Sequence, residues 1–187
     1  MISVRRPDDA AIERYRSARL DVAPTCAPSD EPLAGYHRDH VATVIGHGTH
    51  ALAAAGDGLR AWAAHRGGGV EVHPGDAALE EGAVVAIVTR QLGLWVLAAC
   101  RVVEVVDGPT TVGFTYATLP DHPEQGYESF TARLADDGTA TFHLDVVSRP
   151  AVAVVRLGAP VARRLQRRAT GRYLAAMRRW VADQGAA

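Results

Sequence analysis

The stretch from Arg101 to Pro150 reads RVVEVVDGPTTVGFTYATLPDHPEQGYESFTARLADDGTATFHLDVVSRP. Its Val, Thr, Phe and Tyr residues come in short runs, cut by DGPT (Asp107 to Thr110) and DDGT (Asp136 to Thr139). Asp and Gly accept the positive φ that tight hairpins demand, so these are the expected reversals of an antiparallel meander. The same texture begins after Gly67-Gly68-Gly69, giving expected strands over 70 to 73, 83 to 90, 94 to 106, 110 to 118, 127 to 135 and 139 to 148. A further strand is expected over His37 to Ile45, ended by Gly46-His47-Gly48.

Beyond the meander, Pro160 opens VARRLQRRATGRYLAAMRRWVADQ, where Val161, Leu165, Ala169, Tyr173, Met177 and Trp180 recur every three or four residues. That spacing predicts a long amphipathic helix, with Gly171 as a point of close packing. Ahead of the meander, THALAAA and LRAWAAH read as two short helices divided at Gly56-Asp57-Gly58, with Thr49 as an N-cap, because glycines are costly inside a helix. Pro7 and DDAAIERYRSARL predict a first helix with Asp8 and Asp9 at its positive end and Ile12 and Tyr15 on its apolar side. Pro24, Pro28 and Pro32 make a linker of the following residues. The division is 1–35 for helix and linker and 36–187 for the compact domain. Strands grouped apart from helices indicate an α+β fold, and the terminal helix is the natural second layer on a curved sheet.

The 187 residues are 48% hydrophobic and 22% charged, an ordinary globular balance. All 20 cationic side chains are Arg, against 21 acids. Without Lys there is no amine for a Schiff base, no internal aldimine for pyridoxal phosphate and no phosphate-binding Lys of a P-loop. GxSxG and a strand-linked GxGxxG are also missing, which argues against an α/β-hydrolase and a Rossmann nucleotide site. No apolar run approaches a membrane span, and the N-terminal residues lack a signal-peptide core. With Cys26 and Cys100 as the two cysteines, a reduced cytoplasmic setting is expected, although a single bridge between them stays open.

The segment Gly113 to Phe130, GFTYATLPDHPEQGYESF, is the most individual. Pro120 and Pro123 fix two φ angles and Gly126 supplies a hinge, so a stiff loop displays His122 and Glu124. This segment, with Ser148-Arg149-Pro150 and the Arg-rich terminal helix, resembles a family of uncharacterised bacterial and plant proteins, a domain of unknown function, from about Tyr36 to Trp180. Its pattern is a Tyr-Gly-Thr-Leu-Pro-Gly-His-Pro-like run, then Glu and Phe, then a strand ending Ser-Arg-Pro. Ala117 and Asp121 stand here where glycines are usual. The element order also resembles the helix-grip fold of START-like, birch-allergen-like and polyketide-cyclase-like (SRPBCC) proteins. That resemblance implies a curved sheet of six or seven strands around the terminal helix, with a cavity between them and the short helices at one mouth.

His122 and Glu124 are the candidate catalytic pair, because an imidazole titrates near neutrality and a carboxylate can orient it. The alternative is that they pin the loop to backbone groups. Asp121 beside His122 is expected to raise the imidazole pKa. Tyr116 and Tyr127 flank the loop and can either bond a ligand or pack on the core. Phe114, Phe142, Leu165, Tyr173 and Met177 are candidate lining residues of the cavity. Arg149 either points inward to an anionic ligand group or outward to an acid. His37, His40, His47 and His50 suggest a metal only weakly, since HxxH lacks further placed ligands, and no metal or cofactor is expected. His65 is expected to be exposed or capped.

From Arg156 onward eight arginines stand against one aspartate, a balance of +7, while the preceding residues hold twelve arginines against twenty acids, a balance of −8. The Arg face either complements that acidic body or meets an anionic membrane or nucleic acid. The leading expectation is a domain that binds a small apolar or amphipathic molecule. The alternatives are an enzyme of cyclase, isomerase or hydrolase type using His122 and Glu124, and an interaction module working through the arginines.

Overall fold

The computed structural model describes residues 1–29, 31, 33–151 and 159–185, with side chains for all of these except 159–167. The short strand β1 (Ile2–Ser3) precedes helix α1 (Asp9–Ser17). Asp8 caps α1 by accepting a hydrogen bond from the Ala11 amide at 2.7 Å. Then come β2 (His37–His47), α2 (Gly48–Arg60), α3 (Ala63–Gly67), β3 (Val70–His73), β4 (Val84–Gln91), β5 (Leu94–Asp107), β6 (Thr111–Thr118), β7 (Glu124–Leu134), β8 (Thr139–Pro150) and the long helix α4 (Ala159–Gln184).

The strands form one antiparallel sheet in the order β2-β8-β7-β6-β5-β4-β3, with β1 on β5. Both expected reversals are present. Gly108 donates to Thr111 O at 2.8 Å between β5 and β6, and Gly138 takes a φ of +81° between β7 and β8. The sheet has two covered faces. On the inner one Val85, Val102, Phe114, Tyr116, Phe130, Phe142 and Leu144 meet α2, α3 and α4 in the principal core. On the outer one Ile12 packs on Ala86, Val88 and Leu97, while Cys26, Leu33 and Tyr36 lie on Ala117, Tyr127 and Val147. The strand-then-helix order therefore gives the expected α+β architecture, with the N-terminal residues laid over the outer face.

Three local expectations are corrected. The helix runs through Gly56 and Gly58 and breaks instead at Trp62, whose φ of +56° is left-handed. These glycines serve packing: a Cβ on Gly58 would lie 2.7 Å from Trp180 Cδ1, and Trp180 Nε1 donates to Ala54 O at 2.9 Å. Gly67 and Gly68 do the same, with added Cβ atoms meeting Ala176 Cβ at 2.6 Å and Tyr173 Cδ1 at 2.5 Å. Three missing side chains thus seat α4 against α2 and α3. The N-cap of α2 is His47, without a side-chain cap bond, rather than Thr49. Gly171 faces open space, so the close packing expected there occurs at the other glycines.

Candidate functional site

Alternation along β7 decides what the inner face carries. Tyr127 packs outward and Phe130 inward, so Glu128 shares the inner face with Phe130. Its cross-strand neighbour is Tyr116, and the Tyr116 hydroxyl donates to Glu128 Oε2 at 2.7 Å. The same hydroxyl lies 3.2 Å from His65 Nε2, on α3. Tyr116 has one proton and gives it to Glu128, so a neutral His65 donates Nε2–H to the Tyr116 oxygen. Aromatic rings enclose the triad: Phe130 and Tyr173 lie 4.7 and 5.2 Å from His65, and Phe114 stacks on Phe130 at 5.1 Å.

Desolvation sets the charge states. Burial pushes the His65 imidazole down to about 3, so it stays neutral. Burial lifts the Glu128 carboxyl to about 7, opposed by the Tyr116 hydrogen bond and assisted by the Glu124 charge. Tyr116 is pushed well up by the same desolvation and by Glu128. Glu128 remains partly exposed, unlike Phe130, which is wholly buried. A carboxyl that changes charge near neutral pH, beside a phenol, among aromatic rings, can bind a polar head or exchange a proton with it. Neither His65 nor Glu128 figures among the residues singled out by motif. The signal that could have found Glu128 was its two-residue spacing from Phe130.

The other candidates fall on both faces. Phe114, Tyr116, Phe142, Tyr173 and Met177 all belong to the inner core, while Leu165 lies outside the described side chains. Tyr127 is on the outer face, where its hydroxyl donates to Ser29 O at 2.8 Å. Arg149 points outward and, among the described residues, meets no acid: it donates to Gln125 Oε1 at 2.8 and 3.0 Å and covers the Tyr36 ring at 4.8 Å.

His122 accepts a hydrogen bond at Nδ1 from the Glu124 amide at 3.1 Å. It lines an open depression of about 430 Å³ with Thr25, Leu119, Asp121 and Gln125, and Glu124 is not among the lining residues. Burial lowers the imidazole to about 4, against a smaller rise from the backbone hydrogen bond with Glu124 and opposite to the rise expected from Asp121, which instead pairs with Arg19 at 2.7 Å. Asp121 also has a φ of +68°, the left-handed conformation that suits the glycine of the family pattern. Burial raises the Glu124 carboxyl, and a Ser148 hydrogen bond draws it back.

Of the four upstream histidines, His37 pairs with Asp39 at 3.1 Å and His40 with Asp145 at 3.0 Å. Among the described residues no cluster of three or more His, Cys, Asp or Glu could hold a metal ion. Cys26 and Cys100 are free thiols on opposite faces of the sheet. Arg168, Arg172, Arg178 and Arg179 of α4 are exposed, and none forms an ion pair among the described residues. No described helix is long and apolar enough to cross a membrane.

Comparison with known proteins agrees with this architecture. A UPF0548 protein of Deinococcus radiodurans is 30% identical, with 92% of this chain and 95% of the relative covered. One of Dictyostelium discoideum is 24% identical, with 89% of each covered. Among solved structures, a hypothetical protein from Helicobacter pylori matches with a TM-score of 0.56 at 10% identity, over 78% of this chain and 87% of that one. Ara h 8.0201 matches at 0.51 and 17% identity, over 80% and 99%. The di-domain ARO/CYC protein BexL from the BE-7585A biosynthetic pathway matches at 0.53 and 20% identity, over 82% and 51%. These likenesses bear on the fold, which is the helix-grip arrangement. The model of the domain of unknown function DUF1990 matches residues 21–176, and the chain belongs to that family.

Proposed function

We propose that the protein binds a small, largely apolar molecule between α4 and the inner face of the sheet. The observation that carries this reading is the Tyr116–Glu128 pair: a partly exposed, hydrogen-bonded carboxyl set in an aromatic interior. Burying a carboxyl there costs stability, and a polar feature that orients a ligand gives that cost a purpose. Phe114, Phe130, Tyr173 and Met177 supply the apolar surroundings. Native mass spectrometry of the purified protein, with titration of the neutral probe N-phenyl-1-naphthylamine, tests the reading. A co-purified molecule or saturable probe binding is expected. Absence of both would refute it.

A second reading is favoured by the exposed α4 arginines that form no ion pair among the described residues. Arg168, Arg172 and Arg179 recur near one side of the helix, so an anionic surface is the partner they suit. Binding to anionic vesicles or to RNA that weakens steeply with salt supports it, and the arm that responds identifies the surface. The acid–base reading of His122 and Glu124 has less behind it, since the His122 Nδ1 is occupied by a backbone amide.

A further inference from the structure

The titratable groups described around Glu128 are all acidic or neutral. Glu124 and Glu128 come from β7, Tyr116 from β6, Cys100 from β5, His65 from α3 and Tyr173 from α4. Desolvation, then the Glu128 charge, raises both the Cys100 thiol and the Tyr173 phenol, so neither ionises near neutrality. Among the described residues no cationic side chain lies within ion-pair distance of either carboxylate.

Tyr173 adds an independent observation. Its ring is largely buried, at 9% exposure for the residue, and among the described residues its hydroxyl makes no hydrogen bond, so that oxygen is open to a ligand. Its ring lies 5.8 Å from Phe130 and 5.2 Å from His65, so α4 presents it to the group of rings that contains Tyr116. The interior thus offers a carboxyl with an exposed side, an unanswered phenol oxygen and aromatic faces. An ammonium head uses all three, as opposite charge, hydrogen-bond acceptor and π surface. A carboxylate head would set like charge beside Glu128, and an alcohol would use the acceptors without the charge.

We infer that the ligand is an apolar amine, its ammonium held by Glu128 and the Tyr173 hydroxyl and its hydrocarbon part lodged among the aromatic side chains. This rests on the ligand-binding reading above and specifies the head group of that ligand.

The test is calorimetric titration of the full chain with decylamine, 1-decanol and decanoate, each below its micellar concentration. The amine stays protonated up to about pH 10. At pH 8 decylamine should bind about tenfold more tightly than decanol, and decanoate most weakly. Lowering the pH to 6 should shrink the amine's advantage, because Glu128 takes up a proton, and leave decanol unchanged. Glu128→Gln should abolish the amine preference while decanol still binds. Tyr173→Phe should weaken the amine severalfold. If Glu128→Gln does not fold, the pH series on the unaltered chain decides. Decanoate binding as tightly as decylamine, or an unchanged ranking in Glu128→Gln, would overturn the inference. Equal binding of all three overturns the inference and leaves the ligand-binding reading standing, whereas no binding of any removes both.

Discussion

Tyr116 donates its hydroxyl proton to Glu128 across one rung of the β6–β7 ladder, at 2.7 Å, inside the principal core. The hydrogen bond favours the charged carboxylate and burial disfavours it more, so the folded pKa stands at about 7, above the usual carboxylate range. Folding therefore binds a proton at intermediate pH. The associated stability is complete below the unfolded pKa, near 4, and is lost as pH rises through about 7. Denaturant titrations should show the unaltered chain losing on the order of 2 kcal/mol across that window relative to Glu128→Gln. Parallel curves for the two proteins would contradict the raised pKa.

His122 runs in the opposite direction. Its imidazole is held down to about 4, so the unfolded chain binds the proton that the folded chain refuses. Stability from this group is present above about pH 6.5 and lost as pH falls through 4. Nitrogen-resolved NMR at pH 6 should show a neutral ring with Nδ1 unprotonated, as expected of an acceptor from the Glu124 amide. An imidazolium signal at that pH would disprove the assignment.

Two glycine substitutions should move stability in opposite directions. Gly68→Ala puts a methyl group 2.5 Å from the Tyr173 ring and 2.9 Å from Ala64 O, and should cost about 1–3 kcal/mol by differential scanning calorimetry. Gly171→Ala, within α4, meets nothing within 4 Å and should gain on the order of 0.5–1 kcal/mol.

Packing of Ile12, Cys26 and Leu33 on the outer face leads us to propose that the N-terminal residues belong to the stable unit. Ile12 is 1% exposed against Ala86, Val88 and Leu97, so Ile12→Ala should cost about 2–4 kcal/mol in urea denaturation. A chain starting at Tyr36 loses the cover of these residues and should aggregate or bind hydrophobic dyes. A fragment as stable and monomeric as the whole chain would refute the point.

Thiol labelling should separate the two cysteines. Cys26 is partly exposed on the outer face, whereas Cys100 is wholly buried on the inner one. In native protein Cys26 should react at least about tenfold faster with a maleimide, and Cys100 should react only through unfolding. Equal rates would place Cys100 nearer solvent than the fold does.

The strands were legible because their turn residues are unambiguous: DGPT and DDGT leave the chain little choice but to reverse. The helix pair was legible in number but not at its division. Gly56 and Gly58 look like breakers to a local reading, and only the arrival of Trp180 on Gly58 shows why they stay helical. His65 was missed for a related reason. Its burial depends on the left-handed Trp62, which turns α3 inward, and nothing in the local sequence announces a positive φ at a tryptophan. Glu128 was within reach, two residues from Phe130, but the conspicuous HPE loop next to it drew the chemical reading toward His122 and Glu124.

The three glycines under α4 also act as a gauge. They set how near the long helix comes to α2 and α3. A methyl group added at Gly58, Gly67 or Gly68 would lift one flank of α4 like a shim. A single methyl group at this seam would therefore shift α4 relative to the sheet while every inward-facing aromatic residue keeps its identity.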